Sequence, residues 1–516
     1  MSIYALGRLV RYSKAMVIML WVGAVVALIE LCIYGPSILW RARVVLATFS
    51  LVAGTFCASA LAVAFPSVFS GVLLLVALMR AFNMIRIIHG RMHERYMRTA
   101  ACRTSVTMIA MQTAITGLWA LWHYNHISGQ VMWTAVAGLQ LFSAITLFAS
   151  TIRRLRHTAW PLQEQHFSDA ELPTLTIAVP ARNETEELHQ CLERIIASDY
   201  PKLEIIVLDD CSQTRRTPEI IRGFAHDGVR FVRGEEPLET WLPKNQAYNR
   251  LVAEASGDYI LFCGVDVRFE RDAVRNMIGM MLLRRKAMLS ILPDRAPEVR
   301  TMFSPAQALR YFWELVPPRR LFGRPPVLSS CWIIAKDALT RAGGFEAVRR
   351  SIVPEAYFAK RLAAEDGYSF MRAGSTLGVS SVKTNAEQRA TAIRVRYPQL
   401  HRRPEQVCII FCAELLFLVL PLVMAIGGPW LNIGSYAAVM AACASLLLMI
   451  TDALVVGATH IGGAAVGFIG LPLVTLYDLG VLYYSMWQYE FSTVDWKGRN
   501  ICVPAMHVIP HLPHID

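Results

Sequence analysis

The sequence predicts an α/β domain held between two clusters of transmembrane helices. Hydrophobic residues make up 54% of the 516 residues and charged residues only 17%, which is too apolar for a purely water-exposed protein. Apolar runs of roughly 20 residues, the length that spans a bilayer, are confined to the first and last parts of the chain. The segment between them alternates strand-like and helix-like patterns, which is typical of a mainly parallel sheet with helices on both faces.

The apolar runs predict about five spans before the polar segment and about three after it. They divide the chain into N-terminal transmembrane helices at 1–155, a central domain with interfacial helices at 172–403, C-terminal transmembrane helices at 404–490, and a tail at 491–516. The predicted spans are Ala15–Tyr34, Val44–Phe65, Ser67–Ile88, Val106–Tyr124, Val131–Ile152, Val407–Gly427, Trp430–Gly457 and Ala464–Trp487.

The distribution of arginine predicts a cytoplasmic central domain, because Arg-rich linkers remain on the cytoplasmic side. The formal net charge of +12 is then explained by membrane orientation and anionic lipid headgroups, and no nucleic acid partner is expected. The 11 cysteines form no CxxC pair, which fits a reducing compartment. We therefore expect a multi-pass protein of the cell (inner or plasma) membrane, with the lipid bilayer as a partner. The arginines flanking the predicted spans are Arg80, Arg86, Arg91, Arg95, Arg98, Arg103, Arg153, Arg154 and Arg156.

Acidic residues follow several strand-like runs of the central segment. Asp209 and Asp210 come directly after Leu203–Leu208, and Asp266 comes three residues after Tyr259–Cys263. A third acidic position is Glu365-Asp366. Carboxylates at strand ends can bind a hard divalent cation, accept a hydrogen bond from a nucleobase or sugar, or act as a general base. Each one alone is equally a turn starter or a helix cap.

The order of these motifs resembles that of family 2 glycosyltransferases of the GT-A fold. The resemblance covers roughly Leu175 to Tyr397 and rests on TIAVPARNE (176–184), IIVLDDCS (205–212), GDYILFCGVD (257–266), Trp332–Phe345 and Glu365-Asp366. It implies a Rossmann-like mixed sheet and an inverting transfer of a sugar from a UDP-sugar to a membrane lipid or glycan acceptor. It also implies Mg²⁺ or Mn²⁺ as cofactor.

The resemblance further implies a role for each matched residue. Asp210 would accept from the uracil edge, Asp266 would bind the metal, and Asp366, with Glu365 beside it, would be the general base. Lys244 either contacts the nucleotide phosphates as a point charge or is a solvated lysine at a helix start. The implied nucleotide-binding residues are Pro180, Arg182, Glu184, Asp209, Asp210 and Lys244.

The sequence also departs from the family's pattern. Gly264 stands where the first Asp of the Asp-x-Asp metal motif is expected, which predicts altered metal and sugar contact. The motif of processive members, Gln-x-x-Arg-Trp, is matched only by Ile393–Tyr397. Arg394 and Arg396 there would meet the diphosphate or anchor an interfacial helix on anionic lipid. The tail element Asp495–Arg499 is similar to one in ceramide, hopanoid and carotenoid glycosyltransferases, which favours a lipid acceptor. A processive polysaccharide synthase and a catalytically impaired nucleotide-binding scaffold remain alternatives.

Overall fold

A computed structural model describes residue 78 and residues 128–161, 167–238, 240–296, 303–317, 323–431, 433–459 and 463–502. The predicted spans at 15–34, 44–65 and 106–124 lie outside these residues, as does 67–88 apart from Leu78. The C-terminal residues 503–516 also lie outside them.

The central domain is built on a mixed seven-stranded sheet, as the predicted α/β class requires. The strand order is β3-β2-β1-β4-β8-β6-β9, in which only β8 runs antiparallel to its neighbours. The buried runs around Ile177, Val207 and Leu261 explain why these segments form interior strands. A smaller sheet has the order β5-β10-β7, and β11 pairs with β12 in a hairpin. The strands are β1 Leu175–Ala181, β2 Leu203–Asp209, β3 Val229–Arg233, β4 Tyr259–Cys263, β5 Val267–Phe269, β6 Met288–Leu292, β7 Asp294–Arg295, β8 Cys331–Ala335, β9 Tyr368–Arg372, β10 Val379–Ser381, β11 Asp495–Trp496 and β12 Arg499–Asn500.

Helices cover both faces of the large sheet, because a sheet buried on both sides needs an apolar layer on each. Two hydrophobic clusters, one on each set of alternating strand residues, fill these layers. The helices of the described residues are α1 Gly129–Thr158, α2 Glu186–Ile196, α3 Arg216–Gly223, α4 Pro243–Glu254, α5 Ala273–Leu283, α6 Pro305–Leu315, α7 Lys336–Arg341, α8 Pro354–Ala364, α9 Gly374–Leu377, α10 Asn385–Gln399, α11 Pro404–Glu414, α12 Leu420–Leu431, α13 Ser435–Gly457 and α14 Ala464–Phe491.

An aromatic cluster fixes α4 and α8 against one face of the sheet. The Trp332 ring stacks on Phe262 with centroids 4.4 Å apart and on Phe358 with centroids 6.2 Å apart. Tyr248 meets the Phe262 ring edge-on at 4.8 Å. Such pairs add to the free energy gained from burying the rings themselves. These ring contacts therefore hold α4 and α8 beside the sheet.

Within the described residues, four apolar segments are long enough to cross a membrane: Gly129–Thr158, Gln406–Gly428, Ser435–Gly457 and Ala464–Phe491. They overlap the fifth predicted span and the three predicted C-terminal spans. Contacts divide the described residues into two units. One contains the described residues of 128–141, 400–443 and 482–492. In this unit, Ala137 packs against Met424, Ala437 and Ala441. The other contains the sheets, the described parts of 444–481 and the β11–β12 hairpin.

Candidate functional site

Carboxylates follow β2 and β4 at one edge of the large sheet. Because β1 pairs in parallel with both β2 and β4, the carboxyl ends of these strands meet there. Asp209 ends β2, and Asp266 lies in the short turn between β4 and β5. β5 pairs with β10, which brings Ser381 opposite Val267 and next to Asp266. This edge is where ligands bind in open α/β sheets.

A cavity of about 990 Å³ opens at this carboxyl edge. Its volume is that of a site for a drug-sized or larger ligand. The predicted residues that line it are Pro180, Glu184, Lys244, Asp266 and Arg394. Sequence reasoning therefore placed residues from four separate segments on one surface. Their mixed charge suits a ligand that carries both anionic and hydroxyl groups.

Asp266 is the partly buried carboxylate at the end of β4. The Ser381 hydroxyl donates to its Oδ2 at 2.8 Å, and Lys383 Nζ lies 3.8 Å from the same oxygen. Burial alone would raise the pKa of Asp266, but Lys383 and the Ser381 hydrogen bond outweigh it and hold that pKa below its ordinary value. Asp266 is therefore an anion at neutral pH.

Asp266 can contribute to a metal site only together with a ligand. Among the described residues, no three His, Cys, Asp or Glu side chains group closely enough to hold an ion. Mg²⁺ is commonly held by one or two carboxylates while substrate phosphates and water complete its shell. The position of Asp266 at the cavity is compatible with that arrangement. The ion would then bind with the ligand and not before it.

Gly264 leaves the space that the Asp266 carboxylate occupies. A Cβ at position 264 would lie 2.6 Å from Asp266 Oδ1, closer than non-bonded atoms approach. A side chain there would push Asp266 away from its present position. Glycine at the position of the first Asp of the metal motif therefore allows the Asp266 carboxylate to occupy its present position.

The C-terminal hairpin, residues 495–500, contacts three of the predicted nucleotide-binding residues, Arg182, Glu184 and Asp210. Arg499 Nη1 donates to Asp210 Oδ1 at 2.8 Å, and Lys497 forms an ion pair with Glu184. Arg182 Nε donates to the Lys497 carbonyl at 3.0 Å. Burial raises the pKa of Asp210, an effect that Arg499 opposes.

Asp210 and its neighbours are therefore enclosed. Arg182 Nη1 donates to the Asp210 carbonyl at 2.6 Å, so Arg182 braces the backbone after β2. Asp209 Oδ1 accepts from the Ser212 amide at 3.3 Å, which makes it a turn residue. Sequence reasoning missed the hairpin's role here, because nothing local links residue 499 to residue 210.

Glu365 and Asp366 lie at the opposite edge of the sheet, which corrects their assignment as catalytic residues. They precede β9, whose first residue, Tyr368, pairs with Met288 at the start of β6. Through Ile334 of β8, that start is level with Ile260, the second residue of β4. The Asp366 side chain is 95% exposed and pairs with Lys286 at 2.7 Å. The sequence of an acidic pair next to a strand does not show at which edge of the sheet the pair lies.

Glu355, which sequence reasoning did not single out, is the buried acid beside the cavity. It is the second residue of α8, only 1% exposed, and its Oε2 has no hydrogen-bond partner among the described residues. The preceding residues Ser351 and Ile352 line the cavity, as do Lys244 and Tyr248, on which Glu355 acts electrostatically. A buried carboxylate oxygen without a partner is costly and marks a functional candidate.

Arg396 does not reach the cavity, which corrects its assignment to the diphosphate. Its Nε donates to Asp478 Oδ1 at 3.0 Å, and its Nη2 donates to Asp478 Oδ2. The guanidinium stacks over Trp313 at 4.4 Å, and Trp313 Nε1 donates to Asp478 Oδ2 at 2.7 Å. Arg394, two residues earlier on α10, does line the cavity. Of the two predicted roles, diphosphate contact and helix anchor, the second therefore suits Arg396. The group that binds it is the Asp478 carboxylate of α14, where anionic lipid was expected.

We expect Asp478→Asn to lower the free energy of unfolding by about 3 kcal/mol, because it leaves the buried Arg396 cation without a counter-charge. Thermal unfolding of the full chain in detergent measures this. Asp337→Asn removes the carboxylate of an exposed pair with Arg341 and should change stability by less than about 1 kcal/mol. Equal unfolding midpoints for the Asp478 variant and the parent would contradict the structural role of this pair.

The central domain matches a family model described as glycosyl transferase family 2, over residues 176–341. The chain is 34% identical over 122 residues to 4,4'-diaponeurosporenoate glycosyltransferase of Staphylococcus aureus. The aligned residues make up 23% of this chain and 32% of that protein. It is 34% identical over 116 residues to the probable glycosyltransferase YdaM of Bacillus subtilis, covering 22% of this chain and 27% of that protein. The chain thus spans about a third or less of the length of these curated relatives.

A similar solved structure is the mannosyltransferase PcManGT from Pyrobaculum calidifontis, in complex with GDP-Man and Mn²⁺. It is 16% identical, with a TM-score of 0.42, and covers 70% of this chain and 99% of that chain.

Proposed function

Because the chain carries a family 2 glycosyltransferase domain, we propose that it transfers a sugar from a UDP-sugar to a membrane-borne acceptor, with inversion at the anomeric carbon. The observation that carries this proposal is the cavity at the carboxyl edge, where Lys244, Asp266 and Arg394 lie beside the buried Glu355. Cations there suit a diphosphate leaving group, and a carboxylate suits an acceptor hydroxyl.

Glu355 is the proposed general base, in place of Asp366. A hydroxyl is a poor nucleophile until its proton is removed as the new bond forms. The acceptor oxygen bonds to the anomeric carbon, the bond from that carbon to the diphosphate oxygen breaks, and the proton passes to Glu355. Tyr248 is acted on electrostatically by both Glu355 and Asp266, so the two carboxylates share one neighbourhood. One direct displacement of this kind inverts the anomeric centre.

The proposed roles of the other cavity residues follow from charge. Lys244 and Arg394 bind the diphosphate and offset the negative charge that develops on it. Asp266 is the residue that would hold Mg²⁺ or Mn²⁺, which when bound supplies Lewis-acid stabilisation of the departing diphosphate. Glu184 and Pro180 line the part of the cavity next to the C-terminal hairpin, which we assign to the nucleoside.

A lipid acceptor is supported by the helices long and apolar enough to cross a membrane and by the 4,4'-diaponeurosporenoate glycosyltransferase among the relatives. Two of the three apolar segments that follow the domain, α13 and α14, contribute residues to the same compact unit as the sheet. We therefore place the protein in the cell membrane, with the acceptor delivered from the bilayer and the catalytic domain on the cytoplasmic side.

Membranes that contain the protein, supplied with a radiolabelled UDP-sugar, should yield a product that partitions into organic solvent and carries one added sugar by mass spectrometry. Membranes with Glu355→Gln protein are the matched control. A water-soluble ladder of masses, each one sugar apart, would show a processive polysaccharide synthase. It would contradict the single transfer to lipid proposed here.

A further inference from the structure

Four cationic side chains from separate elements line the cavity around Asp266. Lys244 begins α4, Arg310 lies on α6, Lys383 follows β10, and Arg394 lies on α10. All four are partly buried. Arg310 and Lys383 belong to no motif that the sequence analysis identified.

These cations act electrostatically on one another, and Glu355, Asp266 and Glu387 oppose that effect. Lys383 has Asp266 at 3.8 Å, and Lys244 lies over the Tyr248 ring at 5.1 Å. Within the described residues, no group accepts a hydrogen bond from the Lys244 or Arg310 side chain. Burial lowers the pKa of Lys383, Asp266 opposes that, and Arg310 and Arg394 lower it further. Burial likewise lowers the pKa of Lys244, with Glu355 opposing.

Such crowding is unfavourable until a multiply charged anion binds, because like charges in a partly dehydrated cavity repel each other. We propose that Lys244, Arg310, Lys383 and Arg394 bind the donor diphosphate directly, so that nucleotide binding does not require a metal ion. This deepens the proposed function and rests on it. The metal site at Asp266 then serves turnover, and the cations supply affinity.

Lys383 has a particular place in this arrangement. In the absence of an acidic side chain at 264, Asp266 is the carboxylate of its turn that faces the cavity. Lys383 sits beside it and provides positive charge where a two-carboxylate motif would rely on an ion. Removal of Lys383 should therefore make diphosphate binding dependent on the metal.

Equilibrium binding of UDP to the purified full chain in detergent, in EDTA and in Mn²⁺, tests this. The wild-type protein should bind UDP in EDTA with a dissociation constant within about tenfold of that in Mn²⁺. Lys383→Met should weaken binding in EDTA by roughly 10- to 100-fold, the usual range for lost hydrogen bonds to a charged group, and Mn²⁺ should restore part of it. Arg310→Met should act in the same direction.

Lys360→Met, at an exposed lysine of α8, is the matched control and should leave UDP binding unchanged. Unfolding midpoints without nucleotide separate a folding defect from a binding defect. If the wild-type protein binds UDP only with metal, and Lys383→Met and Arg310→Met bind as the wild type does, this inference is wrong while the proposed function stands. If the wild-type protein binds UDP in neither condition, the proposed function itself fails.

Discussion

Glu355→Gln should lower kcat for sugar transfer by about 10²–10⁴-fold, the range that a general base supplies. The amide keeps the size of the side chain and its place at the start of α8, but it cannot take the proton of the acceptor hydroxyl. Binding of UDP should remain within a few-fold of wild type, since the diphosphate contacts are elsewhere. Steady-state transfer rates, together with equilibrium UDP binding, measure both quantities.

Asp366→Asn is the matched control, because it makes the same chemical change at the other end of α8. That helix has 11 residues and is therefore about 16 Å long, with Glu355 in its first turn and Asp366 just beyond its last residue. The Asp366 side chain is 95% exposed at the amino edge of the sheet, and we expect its loss to leave kcat nearly unchanged. The reverse pattern, with Asp366→Asn inactive and Glu355→Gln active, would overturn the assignment of the base.

Asp266→Asn should lower kcat on the order of 10²-fold and remove the stimulation of turnover by Mn²⁺ or Mg²⁺, because Asp266 is the carboxylate proposed to hold the ion. UDP binding in EDTA should be equal to or tighter than that of the wild-type protein, since Lys383 loses its counter-charge. Metal titrations of the transfer rate give the first result, and binding isotherms give the second.

Asp337→Asn, at an exposed surface pair, is the control and should titrate with metal as the wild-type protein does. Superimposable metal titrations for Asp266→Asn and wild type would show that the ion is bound by other groups.

Leu203–Leu208 and Tyr259–Cys263 could be predicted as strands because each is a short, mainly apolar run. Predicted and observed bounds coincide for Tyr259–Cys263, and differ by one residue at the end of the Leu203 strand. Asp266 could be found for the same reason, since it lies three residues after a strand. Local sequence is sufficient where the functional residue sits at the end of an obvious element.

The proposed base could not be found that way. Glu355 follows Pro354 at a helix start, and only the tertiary packing of α8 on the aromatic cluster brings it near Lys244. Glu365-Asp366 was misassigned because edge position depends on sheet order, which long-range pairing decides. The Arg499–Asp210 and Arg396–Asp478 ion pairs join residues far apart in sequence, and no local pattern encodes such pairs.

Release of UDP by the purified protein, supplied with bilayer lipid and a panel of UDP-sugars with and without Mn²⁺, tests most directly whether this cavity transfers sugar from a nucleotide donor. We predict metal-stimulated release of UDP from at least one UDP-sugar by the wild-type protein, and release near background by Glu355→Gln. Measurable UDP binding with no release from any UDP-sugar, with or without metal, would contradict the claim and favour a nucleotide-binding scaffold.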